Sequence, residues 1–174
     1  MTALGEAVEE STALDLEQLF RARYAAIARL IGGIIRDHGR AEELAVEVFL
    51  RFSSSRPACD NLEGWLCRTA IRLALDELRR EARRARYERL LTFFRGRPGP
   101  EEIRAASERQ ERVRAVLGIL PTRQAEMLLL RSNGLSYGEV AAALGLNPAS
   151  VGTLLARAQE SFRKEYVRRY GDEH

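Results

Sequence analysis

Apolar residues recur every three or four positions from Leu16 onward, at Leu19, Phe20, Tyr24, Ile27, Ala28, Ile31, Ile34 and Ile35. This period wraps one apolar stripe along a helix and turns it toward a core. Asp37-His38-Gly39 predicts the stop. The period resumes at Ala41, Leu44, Ala45, Val48, Phe49 and Phe52, predicting a second helix. At about 100° per residue, Val46 and Leu50 fall away from that stripe, beside Glu42, Glu43 and Glu47. Single exposed aliphatics are ordinary on a protein surface. Two of them ringed by acids form a candidate docking face.

Ser53-Ser54-Ser55-Arg56-Pro57 predicts a loop. Asp60 and Glu63 have the spacing of a capping box, which opens a third helix. Leu62, Trp65, Leu66, Ala70, Ile71, Leu73, Leu75, Leu78 and Ala82 form its apolar side. Trp65 lies within that stripe and reads as core before it reads as a stacking surface. The far end is basic: Arg79, Arg80, Arg83, Arg84, Arg86, Arg89, Arg95 and Arg97 stand against Glu81 and Glu88 alone. Gly96-Arg97-Pro98-Gly99-Pro100 marks a linker. A helix with acids at its start follows over 101–119, as the macrodipole favours. Pro121 opens another, through Ala125, Leu128 and Leu129 to Asn133-Gly134. The pattern predicts an all-α fold of two small helical domains on a flexible linker. Residues 1–13 are expected to be poorly ordered, 14–90 the first domain, 91–100 the linker and 101–170 the second domain.

Residues 136–157 carry the sharpest local signal. Ser136 and Glu139 form a second capping-box pattern, and Gly145 supplies the permissive backbone of a tight turn. Asn147-Pro148 is an N-cap and first-turn pair, so a new helix starts almost at once. Two helices joined so tightly must cross steeply, with small Ala141 at the contact and Val151 and Leu154 filling the core beneath. This is a helix-turn-helix pattern. Its second helix would offer Asn147, Ala149, Ser150, Thr153, Ala156 and Arg157 to a DNA groove. Arg157 is the residue among them suited to a bidentate guanine contact.

Charge sharpens this picture. Residues 1–60 carry 7 basic and 10 acidic side chains, net −3, whereas residues 61–174 carry 21 and 15, net +6. The asymmetry suggests two kinds of partner, one of them polyanionic. Other chemistries fall away. Cys59 and Cys67 form no pair of pairs, and neither His38 nor His174 adds a metal-ligand spacing, so no metal, cofactor or disulfide framework is expected. No phosphate-binding glycine loop or nucleophile with its base is present, and adjacent Glu42 and Glu43 project in different directions on a helix. An enzyme is not expected. The N-terminus lacks the pattern of a signal peptide, and the apolar runs are too short to span a bilayer. A cytoplasmic protein without membrane insertion is the expectation.

The segment 120–131, Leu-Pro-Thr-Arg-Gln-Ala-Glu-Met-Leu-Leu-Leu-Arg, followed by 134–141, Gly-Leu-Ser-Tyr-Gly-Glu-Val-Ala, and Ser150-Val151-Gly152-Thr153, resembles region 4 of the extracytoplasmic-function (ECF) sigma factors. Glu42-Glu43-Leu44, Glu47-Val48-Phe49-Leu50, Trp65-Leu66 and 73–80, Leu-Ala-Leu-Asp-Glu-Leu-Arg-Arg, resemble region 2 of the same family. The similarity spans roughly residues 14–90 and 101–168. A helix-turn-helix alone is shared by many regulators; both blocks in this order are specific.

The resemblance implies a factor that directs RNA polymerase core to promoters and assists their opening. Glu42, Glu43, Val46, Glu47 and Leu50 would dock on the clamp coiled coil of the largest subunit, and region 4 would meet the flap of the second. Asn61, Arg68, Arg72, Asp76, Arg79, Arg80 and Arg83 would handle the −10 element with its opened non-template strand, while the helix-turn-helix reads the duplex −35 element. An anti-sigma factor is a further partner implied by the family. Three positions depart from the family pattern: Val46 stands for a usual glutamine, Leu155 for a basic residue in many members, and Arg72 for a frequent asparagine. The rival reading is a stand-alone helix-turn-helix regulator whose N-terminal half dimerises or senses; a helical adaptor is a third.

Overall fold

Residues 3–55, 57, 61–92 and 104–171 are described in the computed structural model of the chain, with side chains over 16–55, 57, 61–85 and 108–171. The described residues form seven helices and no strand: α1 (Ala3–Ile35), α2 (His38–Ser55), α3 (Leu62–Thr92), α4 (Arg104–Ile119), α5 (Thr122–Ser132), α6 (Tyr137–Leu144) and α7 (Pro148–Tyr170). α1 begins ahead of the residue-14 start expected from its stripe, and α3 runs past residue 90. The glycine- and proline-rich segment 96–100 lies outside the described residues.

α1, α2 and α3 pack mutually into the first unit. Ile31, Ala45, Val48, Ala70, Ile71 and Leu75 are wholly buried, at the positions the helical period selects, and Ala74 is buried with them. Local chemistry sets the boundaries. Arg36 turns left-handed (φ 61°) and its N–H donates to Gly32 O at 2.9 Å, ending α1. Asp37 Oδ1 then accepts from Arg40 N at 2.9 Å, so Asp37 caps α2 while His38 and Gly39 already belong to it.

α2 also continues through Ser53–Ser55, where the sequence suggested a loop. Ser54 and Ser55 hydroxyls donate back to Leu50 O (2.9 Å) and Arg51 O (2.7 Å), so they join the helix instead of breaking it. Asp60 lies outside the described residues; α3 is capped by Asn61, whose Oδ1 accepts from Gly64 N at 2.8 Å.

α4 to α7 form the second unit, with α7 laid against α4, α5 and α6. Phe162, Tyr166 and Tyr170 form an aromatic ladder along α7, and the Arg112 guanidinium sits 5.3 Å from the Tyr170 ring centroid. α3 packs on α4, α5 and α6 as well, so one hydrophobic core runs without a break through both units. Gly64 lets this happen: a Cβ there would stand 2.6 Å from Asn61 Nδ2 and 3.1 Å from Ala143 Cβ. A side chain at 64 would thus displace the Asn61 cap and crowd α6 at Ala143.

Candidate nucleic-acid and polymerase interfaces

The helix-turn-helix is built by the residues its pattern named. Ser136 Oγ accepts from Glu139 N at 3.3 Å, and the Glu139 carboxylate accepts from Ser136 N at 2.7 Å and from Ser136 Oγ at 2.6 Å. The Ser136 hydroxyl, and then its backbone N–H, hold the Glu139 carboxyl below its ordinary pKa. Gly145 turns left-handed (φ 62°) and Leu146 N donates to Ala141 O at 2.8 Å. Asn147 Oδ1 accepts from Ala149 N at 3.0 Å, with Pro148 next to it in the first turn. α6 and α7 meet at 92°.

Ala141 and Val151 are buried at the crossing, as their spacing required. Leu154 packs half-buried against the core, and the adjacent Leu155, 5% exposed, is the more deeply buried of the two. Position 155 is thus a packing site in this chain. Asn147, Ala149, Thr153, Ala156 and Arg157 are exposed on α7. Ser150 is half-buried, its hydroxyl donating to Asn147 O at 2.7 Å. Small side chains on this face let a backbone approach closely, and the amides of the helix N-terminus favour phosphate.

On α2, the face opposite the core carries Val46 (40% exposed) and Leu50 (63% exposed) beside exposed Glu42 and Glu43. The acids are partly neutralised at home. Arg40 Nη1 donates to Glu43 at 2.7 Å, and Arg51 pairs with Glu47 at 2.6 Å. The Glu47–Arg51 spacing of four was visible in the sequence and marks such a pair.

α3 presents the basic face. Asn61 is committed to its cap, while Arg72, Asp76, Arg80 and Arg83 are exposed and Arg68 and Arg79 half-buried. Asp76 pairs with Arg79 at 3.6 Å, and Arg80 with Glu77 at 3.8 Å. Between α2 and α3 an open pocket of about 470 Å³ is lined by Arg51, Ser54, Ser55, Trp65, Arg68, Thr69 and Arg72. Trp65 packs edge-on to Phe52 at 5.6 Å and also lines this pocket, so it serves the core and a basic cleft together. Arg51 belongs to the cleft as well, although the sequence reading did not include it.

Three arginines of α3 are spent on the second unit. Arg68 Nη1 donates to Ala143 O at 3.1 Å. Arg72 Nε pairs with Glu126. Arg79 donates from Nε to Gly118 O (3.0 Å), and from Nη2 to Leu120 O (3.3 Å) and Thr122 Oγ1 (3.1 Å). Burial, and then the neighbouring Arg72 charge, push the Arg68 pKa down. Glu126 is 2% exposed and was absent from the sequence reading; a lone Glu in a Leu-rich run gave no signal that it faces another domain. Burial pushes up the half-buried Cys67 thiol. Among the described residues no group of three or more His, Cys, Asp and Glu is placed to hold a metal ion, and no single helix is long and apolar enough to cross a membrane.

Residues 19–84 match the model of Sigma-70 region 2, and residues 110–160 that of Sigma-70 region 4. The chain is 30% identical to the ECF RNA polymerase sigma factor SigE of Mycolicibacterium smegmatis over 99% of its own length and 69% of that protein.

It belongs to the ECF RNA polymerase sigma factors.

The family spans both units of this sigma factor. It is also 28% identical to the ferric citrate uptake sigma factor FecI of Escherichia coli (90% of this chain, 95% of that one) and 29% identical to SigC of Mycobacterium tuberculosis (92% and 88%). Among solved structures it is similar to the sigma factor RpoE in complex with the anti-sigma factor NepR from Bartonella quintana, with 18% identity, a TM-score of 0.48, and coverage of 88% of this chain and 97% of that one. Sigma factors bind RNA polymerase core and promoter DNA, and this one directs the polymerase in transcription initiation.

Proposed function

We propose that this sigma factor divides its work among three helix faces. The outer face of α2, with Val46 and Leu50 ringed by Glu42, Glu43 and Glu47, docks on the clamp coiled coil of the largest polymerase subunit. Apolar anchors supply affinity there, and the acids supply steering and register. The arginine face of α3 and the adjoining cleft hold the non-template strand of the opened −10 element, with Arg68, Arg72, Arg79, Arg80 and Arg83 tracking phosphates. The N-terminal half of α7 reads the duplex −35 element, and the second unit rests on the flap of the second-largest subunit. Residues 14–90 and 101–170 are the two functional units, joined through 91–100. The protein acts in the cytoplasm, by binding alone.

The observation that supports this most is the neighbourhood of α2 and α3. An exposed apolar face ringed by acids and an arginine-lined cleft lie on adjacent helices of one unit. Polymerase and opened strand could thus be held side by side. Arg83→Glu and Glu47→Arg test the division. Arg83 is exposed near the basic end of α3. Arg83→Glu is expected to impair open-complex formation while leaving core affinity intact, and Glu47→Arg to weaken core binding itself. Equal loss of core binding in both would contradict the assignment.

A further inference from the structure

We infer that Arg51 is a strand contact of the −10 cleft held in reserve by Glu47, and that polymerase docking on Glu47 sets it free. The inference rests on the reading that assigns α2 to the clamp and the adjoining cleft to the non-template strand.

Glu47 and Arg51 stand about one turn apart on α2 yet serve different faces. Glu47 belongs to the acidic ring around exposed Val46 and Leu50, whereas Arg51 lines the cleft with Trp65, Arg68 and Arg72. Arg68 and Arg72 reach the cleft from α3, so Arg51 is the cation on its α2 wall. A phosphate lodged there would meet guanidinium groups from both walls, as single-strand grooves require. In the structure Arg51 is instead turned back along its own helix. Its Nε (3.0 Å) and Nη2 (2.6 Å) both donate to Oε1 of Glu47. One ion pair thus joins the docking face to the cleft.

The pair is suited to exchange. The Arg51 and Glu47 side chains are 53% and 40% exposed, so solvent screens the bond and Arg51 is held loosely. A basic side chain of the coiled coil that engages Glu47 through both oxygens needs the one Arg51 occupies, and two-oxygen contacts are the stronger kind. Arg51 is then released beside the cleft. The converse holds for the same reason: a phosphate that draws Arg51 into the cleft leaves Glu47 bare for the polymerase. Docking and strand capture each break the pair when they occur alone, and break it once when they occur together. Each therefore favours the other by the same factor. With Arg51 free about one-third of the time, that factor is about three. Glu43 has no such role, because its partner Arg40 is anchored on Glu77, which is 6% exposed and lies away from the cleft.

The test uses the full chain with core polymerase, and the variants Arg51→Gln, Glu47→Gln and the two combined. Circular dichroism checks helicity. Fluorescence titration reads core affinity with and without a saturating single-stranded oligonucleotide, which bears the non-template −10 sequence of a promoter the holoenzyme transcribes. In the wild type the oligonucleotide tightens core binding. Arg51→Gln is expected to tighten core binding about threefold without the strand, since Glu47 is no longer occupied, and to cut the strand's tightening effect about threefold. Glu47→Gln is expected to cut that effect by the same factor although it touches no DNA, and the combined variant to cut it no further than either alone. Core binding weakened by Arg51→Gln would make Arg51 a support for Glu47 and overturn the proposal. Losses that multiply in the combined variant, or a strand effect unchanged in the single variants, would overturn it too, while leaving the −10 assignment in place. An oligonucleotide that the wild-type holoenzyme leaves unbound overturns that assignment, and the Glu47–Arg51 exchange falls with it.

Discussion

Arg40 reaches from α2 to α3 and places both its Nε (3.1 Å) and its Nη2 (2.9 Å) on one carboxylate oxygen of Glu77. Glu77 is 6% exposed and the Arg40 side chain 33%, so this pair is sheltered while most surface pairs are not. The two carboxylates, Glu43 and then Glu77, raise the Arg40 pKa. The contact fixes the roll of α2 against α3 and thereby aims the Val46–Leu50 face outward. Replacing Glu77 by Gln leaves a sheltered guanidinium with a weaker partner. A loss of about 2–3 kcal/mol in folding stability follows, at the low end for a broken buried pair because Arg40 keeps some solvent. Urea denaturation of the variant checks it.

Leu50 is the most exposed large apolar side chain of the proposed docking face. Leu50→Ala removes an anchor and touches no part of the core. Core affinity is expected to fall about tenfold, or about 1.4 kcal/mol, with unfolding temperature unchanged. Fluorescence titration against core polymerase measures the first and thermal denaturation the second.

Ser136 and Glu139 cap α6 reciprocally, and α6 packs against α7, the proposed recognition helix. Ser136→Ala is expected to cost about 1 kcal/mol, as lost caps do. The pH dependence follows from the lowered Glu139 pKa. An acid with a depressed folded-state pKa stabilises above its unfolded value, and that stability is lost as pH falls through the folded value. The stability gap between wild type and Glu139→Gln is therefore full at neutral pH and closes below the usual carboxylate range. Thermal melts over an acid pH series read the gap.

Arg157 stands exposed on the outer face of α7, nearly three turns from its N-cap. Arg157→Ala is expected to cost about 1–3 kcal/mol against the preferred −35 sequence and to flatten preference at a single base position. Uniform weakening across sequences would make it a phosphate contact. Competition with single-base promoter variants separates the two.

Much of this architecture was legible because local chemistry and the fold agree. Ser136, Glu139, Gly145, Asn147 and Pro148 do in three dimensions what their spacing implied, since caps and tight turns depend on a few neighbouring residues. Val46 and Leu50 were legible for a similar reason: helical period alone placed them off the core stripe. Ser53–Ser55 misled because serine hydroxyls either leave a helix or bond back into it, and the surroundings decide. Leu154 and Leu155 are adjacent leucines, so the period could not say which one the crossing buries more deeply. Glu77 and Glu126 were not legible. Each is a carboxylate whose partner lies 37 or 54 residues away, and nothing in a local pattern reports such a meeting.

The central claim is that this chain brings RNA polymerase to promoters through its own two DNA-binding surfaces. Run-off transcription with core polymerase on a library of genomic fragments tests it most directly, with binding to core measured on the same preparation. One-to-one binding and new transcripts that appear only with the protein, sharing paired −35 and −10 sequences upstream, are the predicted result. A protein that leaves core unbound yet footprints a palindromic duplex as a dimer would contradict the account.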